Sequence, residues 1–378
     1  MRIFYSIMLV AVISSASFSQ SGRRITPEPT PTPRAEESYS ETTPLKKRPP
    51  RVSPLFRNIG INADRATSAE TRPELIKPDE GEDIVRVETN LITIPVSVYD
   101  RNGLYIPGLT KENFKVFDNG VEQQIEYFRT TDTPFTVVLL IDTSPSTEYK
   151  IDEIRAAARA FVDQLKPEDK IAVIEFDGNP QVLTRATTNR EQIYKAIRRA
   201  DFGGGTALYD AVDLALKGHL ANVEGRKAVV LFTDGVDTQS RKANYDTTLD
   251  LAEEFDALIF PIYYNTFFET SQRNRSSWPF PGRTVLGAGT TAAEYAVGKK
   301  YLEELAAYTG GRVFRPESTP GGLTAAFEGI AEELRRQYNI GYIPSDDGKA
   351  GERRAIRVRV DRPNLVVRSR DSYIVGTN

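Results

Sequence analysis

Residues 135–146 read FTVVLLIDTSPS, an apolar run without polar alternation that stops at one aspartate and two serines. A strand of that composition is buried on both faces, which a sheet achieves only when other layers cover each side. That is the position of a central strand in a parallel sheet. The chain that follows keeps to the same plan. The runs KIAVIEFD, KAVVLFTDG and ALIFPIYYN read as further buried strands, and an edge strand is predicted near 181–186. Helical spacing falls at about 150–165, 190–199, 209–220 and 247–256, then in EYAVGKKYLEELAAYTG and LTAAFEGIAEELRRQ, with GRVFR as a short strand between the last two. Strands alternating with helices predict a doubly wound α/β unit over 135–343, its mostly parallel sheet flanked by helices.

On either side of this unit the period changes. Residues 84–130 contain TIPVSVY and FKVF, whose alternation marks half-buried antiparallel strands, and Asp118-Asn119-Gly120 is a tight-turn signal. Residues 344–378 carry RAIRVRVD and LVVRSRDSYIV, again strand-like, and QYNIGYIP leads into them. Neither flank has enough strands to cover its own edges. Pairing the two would complete a β-sandwich-like domain into which the α/β unit is inserted. At the amino end, Arg2, an apolar run and small residues make residues 1–19 an expected export signal, with an uncleaved anchor as the alternative. Residues 20–83 are rich in Pro, Thr, Ser and Glu and are expected to form a disordered linker. The expected location is therefore outside the cytoplasm, periplasmic or secreted, with no membrane span after signal cleavage.

The chain has no cysteine and one histidine, which removes thiolate chemistry and most zinc sites. That histidine, His219, lies in the polar tail of a helical pattern and is far from any nucleophile-elbow sequence. The net charge of −3 forecasts nothing about partners, but no basic stripe stands out in the part expected to fold, which argues against a nucleic-acid partner. What remains is a set of hard oxygens. Ligands of open α/β sheets collect beyond the carboxyl ends of the strands, where Asp142, Ser144 and Ser146 occupy alternate positions. One carboxylate and two hydroxyls suit Mg²⁺, which takes oxygen ligands at about 2.0–2.1 Å. Aspartate and serine are also ordinary turn residues, so the motif alone is weak. It gains from Thr206 in the loop FGGGTAL and from Asp234 at the end of KAVVLFTDG. Two buried strands ending in aspartate would bring like charges together, and a cation between them relieves the repulsion.

With these five positions filled, the span 135–343 resembles a von Willebrand factor type A domain with a metal-ion-dependent adhesion site. The resemblance implies that Asp142, Ser144, Ser146, Thr206 and Asp234 hold Mg²⁺, or Mn²⁺ or Ca²⁺. It also implies that the serines coordinate directly, that Thr206 and Asp234 do so directly or through water, and that an acidic side chain of a protein partner supplies the last ligand. Two departures are Pro145, at a spacer often held by glycine, and Thr147, where methionine is common. The flanking phrases resemble exported bacterial proteins of the acidobacterial type that contain this domain. The expected function is a non-enzymatic, divalent-cation-dependent protein-binding module for adhesion or assembly. The alternatives are a metal-dependent hydrolase or phosphatase and a purely structural envelope protein. Asp177 and Asp237 are the acids or bases an enzyme could use. A phosphoryl-transfer site would favour a second aspartate where Ser144 stands, and FGGGTAL lacks the Lys-Ser or Lys-Thr of a phosphate loop. Partner specificity is expected from residues 266–291, a long connection leaving the same rim, with Trp278, Phe280 and Arg283 as contact residues.

Overall fold

The computed structural model describes residues 39–43, 91–130, 133–147, 151–264, 291–317, 319 and 321–375. The expected export signal, most of the linker and residues 265–290 fall outside them.

The first element is β1 (Ser40–Glu41), followed by β2 (Ile92–Tyr99), β3 (Phe114–Asp118), β4 (Val121–Gln123) and β5 (Ile125–Thr130). The α/β unit then runs through β6 (Phe135–Asp142), α1 (Ile151–Gln164), β7 (Lys170–Phe176), β8 (Gln181–Thr187) and α2 (Arg190–Arg199). It continues with α3 (Leu208–Asp213), extended by a π-helical stretch over Leu214–Leu220, and with β9 (Arg226–Thr233) and α4 (Tyr245–Glu254). It ends with β10 (Leu258–Tyr263), α5 (Ala292–Thr309) and α6 (Gly322–Arg335). The chain closes with β11 (Tyr338–Tyr342), β12 (Arg353–Val360), β13 (Val366–Arg368) and β14 (Ser372–Ile374).

Strand β6 is buried along its whole length, at the centre of a sheet ordered β10-β9-β6-β7-β8. All neighbours pair in parallel except the edge strand β8, which is antiparallel to β7. Side chains of successive β6 residues point to opposite faces. Val137, Leu139 and Ile141 join a core with Ile154 and Phe161 of α1 and Phe327 and Ile330 of α6. Val138 and Leu140 join a second core with Leu208 of α3, Leu249 of α4, and Leu302 and Leu305 of α5. The uninterrupted apolar run thus serves two cores at once. Pro261 sits in β10, the other edge strand, where a missing backbone N–H costs least. GRVFR forms no full strand and contributes one bridge, Ile262↔Phe314.

The flanks pair with each other. One antiparallel sheet has the order β1-β12-β3-β4, with β14 also on β12, and the other has the order β13-β2-β11-β5. Between them lies an apolar layer including Ile94, Val96, Phe114, Val116, Tyr338, Ile340, Ile356 and Val358. Strand β11 lies within the 135–343 span yet pairs with β2 and β5, so the α/β unit stops at α6. The chain leaves this sandwich from β5 and re-enters it at β11, and Thr130 and Tyr338 are direct partners.

The linker expectation needs a correction. Residues 39–43 are ordered, and β1 pairs with β12. Composition pointed elsewhere because the segment has little to bury in an apolar core. Its attachment uses the backbone ladder and the hydroxyls of Ser40 and Thr42.

Candidate metal centre

Parallel pairing of β6 with β9 sets Ile141 beside Phe232, so Asp142 and Asp234 emerge next to each other at the carboxyl ends. Asp142 is fully buried and Asp234 nearly so. The loop after β6 folds back on its own strand end. Asp142 Oδ1 accepts from Ser144 N at 3.0 Å, and Thr147 Oγ1 lies 2.9 Å from both the Asp142 and the Ser144 carbonyl oxygens. Thr147, one of the two departures from the family pattern, therefore braces the turn.

Four of the five expected residues share one hydrogen-bonded patch. The Ser144 and Ser146 hydroxyl oxygens are 3.0 Å apart, and Ser146 Oγ donates to Asp234 Oδ2 at 2.9 Å. Thr233 Oγ1 donates to Asp142 Oδ2 at 2.6 Å and accepts from Gly235 N at 3.0 Å. Tyr295 of α5 reaches Asp234 Oδ2 at 3.4 Å. Thr206 is buried but makes its hydrogen bonds to the loop after Asp234 rather than to the other four residues. Its N–H donates to Thr238 Oγ1 at 2.9 Å, its carbonyl accepts from Thr238 N and Gln239 N, and Gly203 N donates to Thr143 O. The glycines before it permit that approach: a Cβ on Gly203 would collide with the Asp177 carboxylate, and Gly205 has φ +85°.

Burial, and then the Asp234 charge, push the Asp142 carboxyl up to about 7. The donor set consists of buried carboxylate and hydroxyl oxygens, with a local excess of negative charge. That chemistry fits a hard divalent cation. Among the described residues no group of three or more His, Asp or Glu side chains is placed to hold a metal ion, so two carboxylates are the most this patch supplies and the hydroxyls are its other side-chain oxygens.

The other candidates take structural places. Asp237 accepts from Ser240 Oγ at 2.5 Å and from Tyr209 N at 3.3 Å, and burial raises its carboxyl. Asp177 Oδ1 accepts from Asn179 N, and His219 is half-buried on the π-helical stretch. Trp278, Phe280 and Arg283 lie outside the described residues. Thr233 and Tyr295 were not singled out from sequence. Thr233 adjoins Asp234 in sequence and could have been weighed as a hydroxyl at the strand ends, although its partner, Asp142, lies 91 positions away; Tyr295 is 61 positions from Asp234 and carries no local signal. A cleft lined by Thr93, Phe135, Lys170, Arg226, Leu258 and Arg370 sits at the amino ends of the parallel strands and shares no residue with this patch.

A doubly wound sheet whose central strand ends in an aspartate–serine loop defines an α/β module with an oxygen-lined rim. Residues 137–236 match the von Willebrand factor type A domain family, and the chain carries such a domain. It is 26% identical over 219 residues to a UPF0353 protein of Nocardia farcinica, covering 53% of this chain and 63% of that protein. Curated relatives are matched over 25% to 63% of their own lengths. Among solved structures, the vWF domain of a type V pili tip protein from Porphyromonas gingivalis superposes with a TM-score of 0.41 at 15% identity, covering 54% of this chain and 96% of that one. Proximal thread matrix protein 1 of the mussel byssus, with a zinc-occupied MIDAS motif, gives a TM-score of 0.41 at 16% identity, covering 57% of this chain and 49% of that one. Among the described residues no helix is long and apolar enough to cross a membrane.

Proposed function

We propose that the chain is an exported, divalent-cation-dependent protein-binding module. The observation that carries this reading is the patch joining buried Asp142, Ser144 and Asp234 with half-buried Ser146 at the carboxyl ends of two adjacent strands. Asp142, Ser144, Ser146, Thr206 and Asp234 would hold Mg²⁺ or Mn²⁺, and the bound ion would supply a positive site for a partner's carboxylate. The chain's residues do the rest. Thr147 fixes the turn, Thr233 orients Asp142, and Tyr295 and Ser146 orient Asp234. Asp177 and Asp237 spend their carboxylates on backbone and serine partners within loops, which favours binding over hydrolysis.

Titration calorimetry tests the reading. The wild-type protein should bind Mg²⁺ or Mn²⁺, and Asp142→Ala and Asp234→Ala should each reduce that affinity at least tenfold while circular dichroism stays unchanged. Undiminished affinity in both variants would refute the assignment. Capture of an envelope protein that survives EDTA would refute the cation dependence.

A further inference from the structure

Strand β1 pairs through only two residues, Ser40↔Val360 and Glu41↔Arg359, yet four consecutive side chains find matched partners. The Arg359 guanidinium lies 3.8 Å from the Tyr39 ring centroid. Ser40 Oγ donates to Arg362 O at 2.7 Å and accepts from Leu365 N at 2.9 Å. Glu41 Oε2 is 3.3 Å from Arg359 and 3.9 Å from Arg357. Thr42 N donates to Val358 O at 3.0 Å, and Thr42 Oγ1 accepts from Val358 N at 3.2 Å. Ser40 and Thr42 are both buried. Strand addition to a sheet edge works this way, the main chain giving attachment and the side chains selectivity.

We propose that the β12 edge, together with the turn over 360–365, is a peptide-binding site whose ligand is the chain's own segment 39–42, captured reversibly. Residues 44–90 separate this segment from Leu91, the next described residue. A chain of that length has a maximal reach on the order of 160 Å, so length alone does not hold the segment at this edge. Covalent attachment keeps the ligand at a local concentration on the order of millimolar or less, which offsets the small size of the contact. The site is independent of the metal reading.

The chain has no cysteine, so an introduced pair reports cleanly. In the full-length protein, Glu41→Cys with Arg359→Cys joins two directly opposed positions. Mild oxidation should give an intrachain disulfide in monomeric protein. Glu41→Cys with Ala355→Cys, four residues out of register, should stay reduced. A synthetic peptide copying residues 36–45, added at millimolar concentration, should slow formation of the first disulfide several-fold by competing for the edge. Equal disulfide yields in the two pairs would overturn the proposal, as would covalent dimers in place of the intrachain product, or a rate indifferent to the peptide.

Discussion

Asp118 is fully buried and accepts hydrogen bonds from Arg354 Nε at 2.8 Å, Tyr373 OH at 2.9 Å and Tyr342 OH at 3.0 Å. Burial, reinforced by the Asp118 charge, pushes both phenols well above the usual tyrosine range, so they remain donors. Breaking a buried ion pair by removing one partner costs about 3–5 kcal/mol, because the other charge is stranded. Asp118→Ala should therefore lower unfolding stability by about 3 kcal/mol or more in urea titration, and a loss below about 1 kcal/mol would show that water relieves Arg354. Local sequence showed half of this residue. Asp118-Asn119-Gly120 reads as a turn, and Asn119 (φ 47°) and Gly120 (φ 86°) do take the left-handed conformations a tight hairpin requires. The three donors to its carboxylate lie more than 220 positions away and were not legible.

At the level of elements, α5 couples its packing to the Asp234 loop. Gly298 lies mid-helix, and a Cβ there would sit 2.3 Å from Gly235 O, itself in a left-handed turn at φ +83°. Helix propensity alone would favour alanine by about 1 kcal/mol. Overpacking against backbone typically costs about 1–3 kcal/mol, and a peptide oxygen cannot swing aside as a side chain can. Packing should win. Gly298→Ala should lower the melting temperature and, on the proposed metal reading, also weaken Mn²⁺ binding, since the displaced helix carries Tyr295. A rise in melting temperature with unchanged binding would contradict this.

At the scale of the whole molecule, the α/β unit meets the sandwich through buried carboxylates. Glu253 of α4 accepts from Ser372 Oγ at 2.6 Å and pairs with Arg353. Glu333 of α6 lies 2.6 Å from Arg312 and 4.0 Å from Arg368. Burial raises the Glu333 carboxyl, with Arg312 and Arg368 opposing. A carboxyl that holds its proton more tightly when folded gives its full stabilisation below the unfolded value of 4.5 and loses it as pH rises through the folded value. Wild-type stability should thus fall relative to Glu333→Gln as pH rises above 4.5, and parallel stability curves in urea would contradict it. The insertion makes its own prediction. Because Thr130 and Tyr338 are adjacent partners, joining them by an Asn-Gly turn in place of residues 131–337 should leave a sandwich that unfolds cooperatively. A non-cooperative melt would mean that the sandwich depends on its insert.

The sequence by itself determined the doubly wound sheet, because an apolar run such as 135–142 has few ways to bury both faces. Spacing also placed Asp142 and Asp234 at strand ends, since a strand's last residue is a local property. Tertiary structure alone decided that β11 leaves the α/β unit for the sandwich, and that residues 39–42 add to β12. It alone brought Tyr295 to Asp234. Each of those depends on backbone edges or polar side chains meeting across distant parts of the chain, and hydrophobic periodicity carries no record of such meetings.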